Sequence, residues 1–183
     1  MNKKKIIILI LFLIFVVILG VFIKIPTHTE RTTRELQVGG FFIEFEDGTT
    51  ESEVKDILES CNMPNYSIDY NSDIMQLDNY IVVDNTKTKG IMDELRKEDN
   101  WTDPIFPAFK KGNSYIIPIT KKAIEDESFL EIMKKNNLQV KKPILCLILF
   151  EDGPIDWMNV AEINNELGKN EKVLIVSPDY LTG

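Results

Sequence analysis

Apolar and polar positions alternate along most of the chain in short segments that predict strands and helices in turn. Period-two or continuously apolar segments predict strands at 41–45, 66–70, 80–83, 101–106, 115–119, 138–140, 144–150 and 173–176. Apolar residues at helical spacing predict helices that begin near Thr50 and at 88–98, 123–136 and 156–168. The first helix starts at a capping box, in which Glu53 follows Thr50 by three residues. The predicted order is therefore β-α-β-β-α-β, twice over.

The second half of the chain repeats the first at an offset of about 72 to 75 residues. Phe42 corresponds to Tyr115, Val54 to Phe129 and Ile57 to Ile132. Each copy fits the split βαβ pattern, in which two helices cover one face of a four-stranded antiparallel sheet. We therefore predict an α+β fold with two tandem ferredoxin-like βαββαβ domains, at 39–109 and 113–181.

An uninterrupted apolar segment near the N-terminus predicts a membrane anchor. Residues 6–23 are all apolar apart from Gly20, and three lysines, Lys3 to Lys5, precede them. A helix of this length spans about 27 Å, close to the hydrocarbon core of a bilayer. The alternative is a cleaved signal peptide, but no small-residue cleavage pattern follows the segment. We predict a cytoplasmic tail at 1–5 and a transmembrane signal anchor at 6–25, with the later domains outside the cell membrane.

The region after the anchor is strongly acidic. Of 21 basic residues four lie at or before Lys24, whereas all 29 acidic residues follow it, so the later region has a net charge of −12. Such a surface repels phosphates, and we expect no nucleic-acid partner. Residues 26–38 are polar, rich in threonine and charge, and predict a stalk.

Long and unusual stretches resemble an uncharacterised family of small membrane-anchored proteins from methane-producing archaea. The resemblance lies in residues 24–30, 34–40, 43–51 and 100–111, and the last of these stretches includes Asn100-Trp101-Thr102-Asp103-Pro104. It covers the whole chain. The resemblance brings no activity with it.

A second resemblance is to the propeptide and inhibitor domains of subtilisin-like proteases. The chain has a similar opening strand, Phe42 to Phe45, followed by an Asp47-Gly48 turn. In those domains the C-terminal tail lies in the protease cleft and adds main-chain hydrogen bonds. The resemblance implies a partner-binding tail, here Pro178, Asp179, Tyr180 and Leu181.

Few residues are suited to catalysis or to cofactor binding. His28 is the only histidine and lies in the predicted stalk, so Cys61 or Cys146 would lack a histidine base in a packed site. Two separated cysteines cannot make a zinc or haem site, and no phosphate-binding glycine motif occurs. Phe-Glu-Asp-Gly occurs twice, at 45–48 and 150–153, where a turn is favoured over a calcium site. We predict no enzyme activity, no cofactor and no metal, and leave a disulfide between the two cysteines open.

Two sequons would be glycosylation sites if the later region is exported, at Asn65 and Asn100. The anchor, the stalk and the missing catalytic residues together indicate a membrane-anchored, extracytoplasmic binding module, in one version a protease inhibitor with an extracellular protein partner. The alternative is an extracellular sensor that binds a small ligand or a cation.

Overall fold

A long central strand organises the fold. In a computed structural model, which describes residues 37–70, 77–97, 100–102 and 107–181, strand β1 spans Gln37–Phe45. Its alternating residues Phe41, Ile43 and Phe45 are fully buried on one face. Val38 is also fully buried, so the strand begins two residues before the predicted domain start, within what was expected to be stalk.

Sheet A contains β1 and four further strands, all antiparallel to their neighbours. Their bounds are β2 Tyr66–Asp69, β6 Ile144–Phe150, β7 Ile155–Asp156 and β8 Val173–Tyr180. The order is β2-β6-β1-β8, and the short β7 pairs with Gln37 and Val38 at the start of β1. Helices α1 (Glu51–Glu59) and α4 (Trp157–Lys169) cover one face, where Val54, Leu58, Val160 and Leu167 are fully buried.

Sheet B comes from the middle of the chain. It consists of β3 Asn79–Asp84, β4 Phe109–Lys111 and β5 Ser114–Ile119, in the order β3-β5-β4. Helix α2 (Thr88–Leu95) and, after a 3-10 turn at Ala123–Glu125, helix α3 (Glu127–Asn136) pack on one face of this sheet. Isolated bridges extend the sheet on both sides, from Tyr80 to Lys141 and from Ile119 to Thr102.

The two halves of the chain are nested rather than consecutive, which corrects the expectation of tandem domains. Strands β1 and β2 pair with β6 and β8 of the second half, and β3 of the first half pairs with β5 of the second. The predicted break near residue 112 lies within the β4–β5 hairpin. The α+β class is confirmed, but the tandem ferredoxin-like arrangement is not. Instead, residues 77–142 are inserted between the second and third long strands of sheet A.

The free faces of the two sheets meet in a third cluster of buried side chains. It joins Leu77, Tyr80 and Ile116 of the inserted segment to Leu174 of β8. The result is four layers, with helices outside and two sheets inside. Polar contacts also connect the sheets. The Lys111 ammonium group donates to the carbonyl oxygens of Asn170, at 2.9 Å, and Val173. Burial lowers the pKa of this lysine.

The predicted tail at 1–5, the predicted anchor at 6–25 and residues 26–36 of the predicted stalk lie outside the described residues. Among the residues described, no helix has both the length and the apolar character needed to cross a membrane. The anchor therefore stays a prediction.

Candidate interaction surface

Four large apolar side chains are exposed at one end of sheet A, and we call this surface the aromatic end. Trp157, Met158, Tyr180 and Leu181 have exposed fractions of 48%, 81%, 42% and 48%. Leu130 and Leu149 are similarly exposed, on α3 and on β6. Contiguous apolar patches on a protein surface mark sites of interaction, whereas scattered single residues do not. The aromatic end is therefore the strongest candidate for a binding surface.

The start of helix α4 places two of these side chains outward. Asp156 caps the helix, because its Oδ1 accepts hydrogen bonds from the backbone N–H groups of Met158 at 2.9 Å and Asn159 at 3.0 Å. Asp156 also pairs with Gln37 through β7, which fixes the helix start against the first residue of β1. Trp157 and Met158 then lie in the first turn, where both are exposed and Met158 lies opposite the buried face at Val160.

Strand β8 and the residue that follows it supply the other two side chains. Tyr180 pairs with Val38, and the Leu181 N–H donates to the Gln37 carbonyl at 3.0 Å. The Tyr180 ring stacks on Trp157, with centroids 6.1 Å apart and an angle of 25° between the planes. The stack joins the helix start to the strand end. These exposed rings are therefore held in place and available to a partner.

The residues of the predicted partner-binding tail lie in strand β8 or directly after it, and their role in partner binding stays a prediction. Pro178, Asp179 and Tyr180 pair with Phe41, Gly40 and Val38, as part of β8. The predicted strand at 173–176 is thus extended to residue 180. The last two of the four predicted residues, Tyr180 and Leu181, contribute to the aromatic end, whereas Pro178 and Asp179 are half-buried in the sheet.

Both candidate glycosylation residues are exposed, and both take part in local hydrogen bonds. The Asn65 side-chain amide donates to Asp152 Oδ2 at 2.8 Å, and the Asn100 carbonyl accepts from the Thr120 hydroxyl. In the second sequon Trp101 is buried against Phe129. Glycosylation of either residue therefore stays a prediction.

A shallow groove lies on the outer side of sheet A, between α4 and the segment that follows α1. Its volume is about 520 Å³, within the size range of small-ligand sites. The polar residues that line it include Ser60, Asn62, Asn159, Glu162 and Glu166. The Glu166 carboxylate already pairs with Lys169 at 2.5 Å. This groove could accept a small polar or cationic ligand.

Neither cysteine is placed for catalysis, and the described residues form no metal cluster. Cys61 and Cys146 are buried and unpaired with each other, and the Cys61 thiol donates to the Ile57 carbonyl at 3.2 Å. Burial raises the pKa of the Cys146 thiol to about 12. In the part of the chain that the structure describes, no group of three or more His, Cys, Asp or Glu side chains could hold a metal ion.

Sequence reasoning missed Trp157 and Met158, although a signal for Met158 was present. The apolar face of the predicted helix is set by Val160, Ile163 and Leu167, and Met158 lies on the opposite side, whereas Trp157 lies at the edge of that face. A large apolar side chain outside the buried stripe, such as Met158, indicates a surface role. Their contact with Tyr180 depends on the pairing of β8, which the helix pattern does not contain.

Comparison with known proteins places the chain among archaeal relatives. The family model described as Uncharacterised protein family (UPF0228) matches residues 63–182. A UPF0228 protein of Methanosarcina mazei is 43% identical over 97% of this chain and 96% of its own length. A UPF0228 protein of Methanosarcina acetivorans is 46% identical over 76% of this chain and 41% of its own length. Another from the same organism is 43% identical over 98% of this chain and 97% of its own length. No solved structure matches the chain.

Proposed function

The chain belongs to the family UPF0228, and on that premise we propose that it is a membrane-anchored interaction module that binds through the aromatic end. Its folded region lies outside the cytoplasm. The observation that supports binding is the exposed, stacked pair Trp157 and Tyr180, each followed in the sequence by a second exposed apolar residue, Met158 and Leu181. Large apolar side chains ordered at a surface lower the entropy cost of contact with a partner.

Support for the anchor comes from the sequence. Residues 6–23 form the only apolar segment of spanning length, and lysines precede it. The alignment with the Methanosarcina mazei relative covers 97% of this chain, so it includes this apolar segment. An interaction module of this kind needs no catalytic residues.

Protease shaving and surface crosslinking of intact cells that express the full chain test the proposal. A photo-crosslinking residue at Met158 should capture a partner, whereas one at Leu130, which is exposed on α3, should not. External protease should remove the folded region and leave the N-terminal segment in the membrane. A chain recovered in the soluble fraction, or equal capture at both positions, would contradict the proposal.

A protease-inhibitor version requires residues 178–181 to act as an extended segment in a cleft. In this fold residues 178–180 already pair with β1, so either the end of β8 detaches or the protease adds a strand at the outer edge of β8. Deletion of residues 180–183 tests whether the tail takes part in inhibition. Loss of inhibition of an extracellular subtilase would support a role for the tail, and unchanged inhibition would exclude that role.

The groove between α4 and residues 60–64 supports a second candidate function, binding of a small cationic ligand. The observation that favours it is the pair Glu162 and Glu166, one helical turn apart on the groove wall. A thermal-shift screen of the full chain with polyamines and divalent cations tests it. A shift that Glu162→Gln removes and Glu131→Gln, on another helix, retains would support a site here; absence of any shift would argue against it.

A further inference from the structure

The aromatic end lies where the N-terminal segment enters the folded region. Three of its four side chains, Trp157, Tyr180 and Leu181, belong to residues that contact the first two residues of β1 or directly follow one that does, and Met158 is the next residue after Trp157. Gln37 pairs with Asp156, which precedes Trp157, and its carbonyl accepts from the Leu181 N–H. Val38 pairs with Tyr180. The first residues that the structure describes are thus part of the same end of sheet A.

The chain before Gln37 limits how far this end can be from a bilayer. The predicted anchor ends at Ile25, and the eleven residues 26–36 connect it to Gln37. A fully extended segment of that length reaches at most about 40 Å. Whatever conformation the connecting residues take, residues paired with Gln37 remain within that distance of the anchor's outer end. A short tether of this kind raises the local concentration of the membrane surface at the aromatic end.

The chemistry of the aromatic end matches the interface between lipid headgroups and hydrocarbon. Tryptophan and tyrosine have an apolar ring and a polar atom, and both concentrate at that interface in membrane proteins. Met158 and Leu181 add apolar atoms that can enter the hydrocarbon edge. The neighbouring charges are acidic, Asp156 and Asp179, and the whole region after the anchor has a net charge of −12. A zwitterionic surface therefore suits this end better than an anionic one.

We propose that the aromatic end inserts into the headgroup region of the membrane that holds the N-terminal segment, and so seats the folded region on the bilayer. This inference rests on the anchor in the proposed function and names the partner of the same surface. A second copy is the rival occupant of this surface, and the test below distinguishes it from the bilayer.

Tryptophan fluorescence of the full chain in proteoliposomes tests the insertion. The chain has two tryptophans, Trp157 in the aromatic end and Trp101 buried in the inserted segment. In phosphatidylcholine vesicles brominated on the acyl chains, we expect quenching of the emission relative to unbrominated vesicles. Trp157→Phe should remove the quenching and leave only the emission of Trp101, which also reports that the fold is intact. Met158→Ser should weaken the quenching while keeping Trp157 as the probe.

The outcomes separate this inference from the proposed function. If the chain floats with the vesicles but bromine quenches wild type and Trp157→Phe equally, the insertion is wrong and the anchor stands. If the chain does not float with the vesicles, both are wrong. If quenching is absent and a photo-crosslinking residue at Met158 gives dimers, a second copy occupies the surface instead. Stronger quenching with added phosphatidylglycerol would contradict the preference for a zwitterionic surface.

Discussion

The hydroxyl of Tyr80 accepts a hydrogen bond from the backbone N–H of Asp47 at 2.9 Å, across 33 residues of sequence. This contact joins the inserted segment to the turn that follows β1, at the interface between the two sheets. Tyr80 itself is fully buried. The turn at Asp47-Gly48 was predicted from its residue types, with Gly48 at a φ of +81°, but its partner was not.

Removal of this hydroxyl by Tyr80→Phe should destabilise the protein by about 1 kcal/mol, the usual net value of a hydrogen bond. The N–H of Asp47 would lose its acceptor while the ring packing stays the same. Urea denaturation of the detergent-solubilised full chain measures the change in the free energy of unfolding.

Tyr70→Phe is the matched control for that measurement. The Tyr70 hydroxyl oxygen is buried and, within the described residues, has no hydrogen-bond partner. Its removal should leave stability unchanged or raise it slightly, because an unsatisfied polar group is lost. An equal loss of stability in both variants would show that the ring environment, and not the Asp47 contact, is responsible.

Gly40 on β1 allows a close approach to β6, and Gly40→Ala should be destabilising. A Cβ atom at this position would lie 1.9 Å from the backbone oxygen of Ile148, so the strands would have to separate. Overpacking of this kind costs roughly 1–3 kcal/mol. The free energy of unfolding of Gly40→Ala measures the effect.

Gly168→Ala provides the comparison on helix α4. A Cβ atom there meets no atom within 4 Å, and the change should stabilise the helix by about 0.5–1 kcal/mol. If both glycine variants changed stability in the same direction, the close approach at Gly40 would not be the determining feature.

The individual elements could be predicted from the sequence far better than their partners. The capping box is present as predicted, since Thr50 N donates to Glu53 Oε2 at 2.9 Å and Glu53 N donates to the Thr50 hydroxyl. Such contacts lie within one turn of chain, so local residue types determine them. Strand pairing depends on distant residues. A β-α-β unit with one apolar helix face packs equally well in a tandem or a nested arrangement, and the apolar pattern does not distinguish them.

The candidate surface shows the same difference between features set by local sequence and features set by distant strand pairing. The exposure of Met158 could be predicted from helix periodicity, because it lies opposite the stripe at Val160 and Ile163, whereas Trp157, three residues before Val160, lies at the edge of that stripe. The stack of Trp157 on Tyr180 could not, because it needs β8 to run along β1 as far as Val38. The tail was expected to be free for this reason.

The nested pairing predicts a specific crosslink between β2 and β6. Ser67 and Leu149 are opposite each other in the antiparallel ladder and are both exposed. Opposite residues have Cα atoms about 4.5–5.5 Å apart, within the range that a disulfide spans. Ser67→Cys with Leu149→Cys should therefore form a disulfide under mild oxidation, seen as a mobility shift in a non-reducing gel.

Asp69→Cys with Leu149→Cys is the control, since the two residues are diagonal neighbours on the same strands. Their Cα atoms should lie about 7–8 Å apart, beyond ordinary disulfide geometry. In a tandem arrangement β2 would pair with β3 instead, and neither pair would crosslink. Absence of the first crosslink would thus contradict the nested topology.

The lowered pKa of Glu53 predicts how the stability of the protein changes in acid. Its Oε1 contacts the Lys172 ammonium at 2.5 Å, and this bond, together with the backbone N–H of Thr50, lowers the pKa of Glu53 to about 2. Because the pKa in the folded state is below the unfolded value near 4.5, the contribution to stability is present above pH 4.5. It is lost as the pH falls towards 2. Glu53→Gln should therefore flatten the decrease in melting temperature across this window and have its largest effect at neutral pH.

Glu51→Gln removes a charge from the same helical turn without touching these contacts, so it should keep the slope of the wild type. Equal slopes for wild type and Glu53→Gln would show that the contact with Lys172 does not contribute in solution.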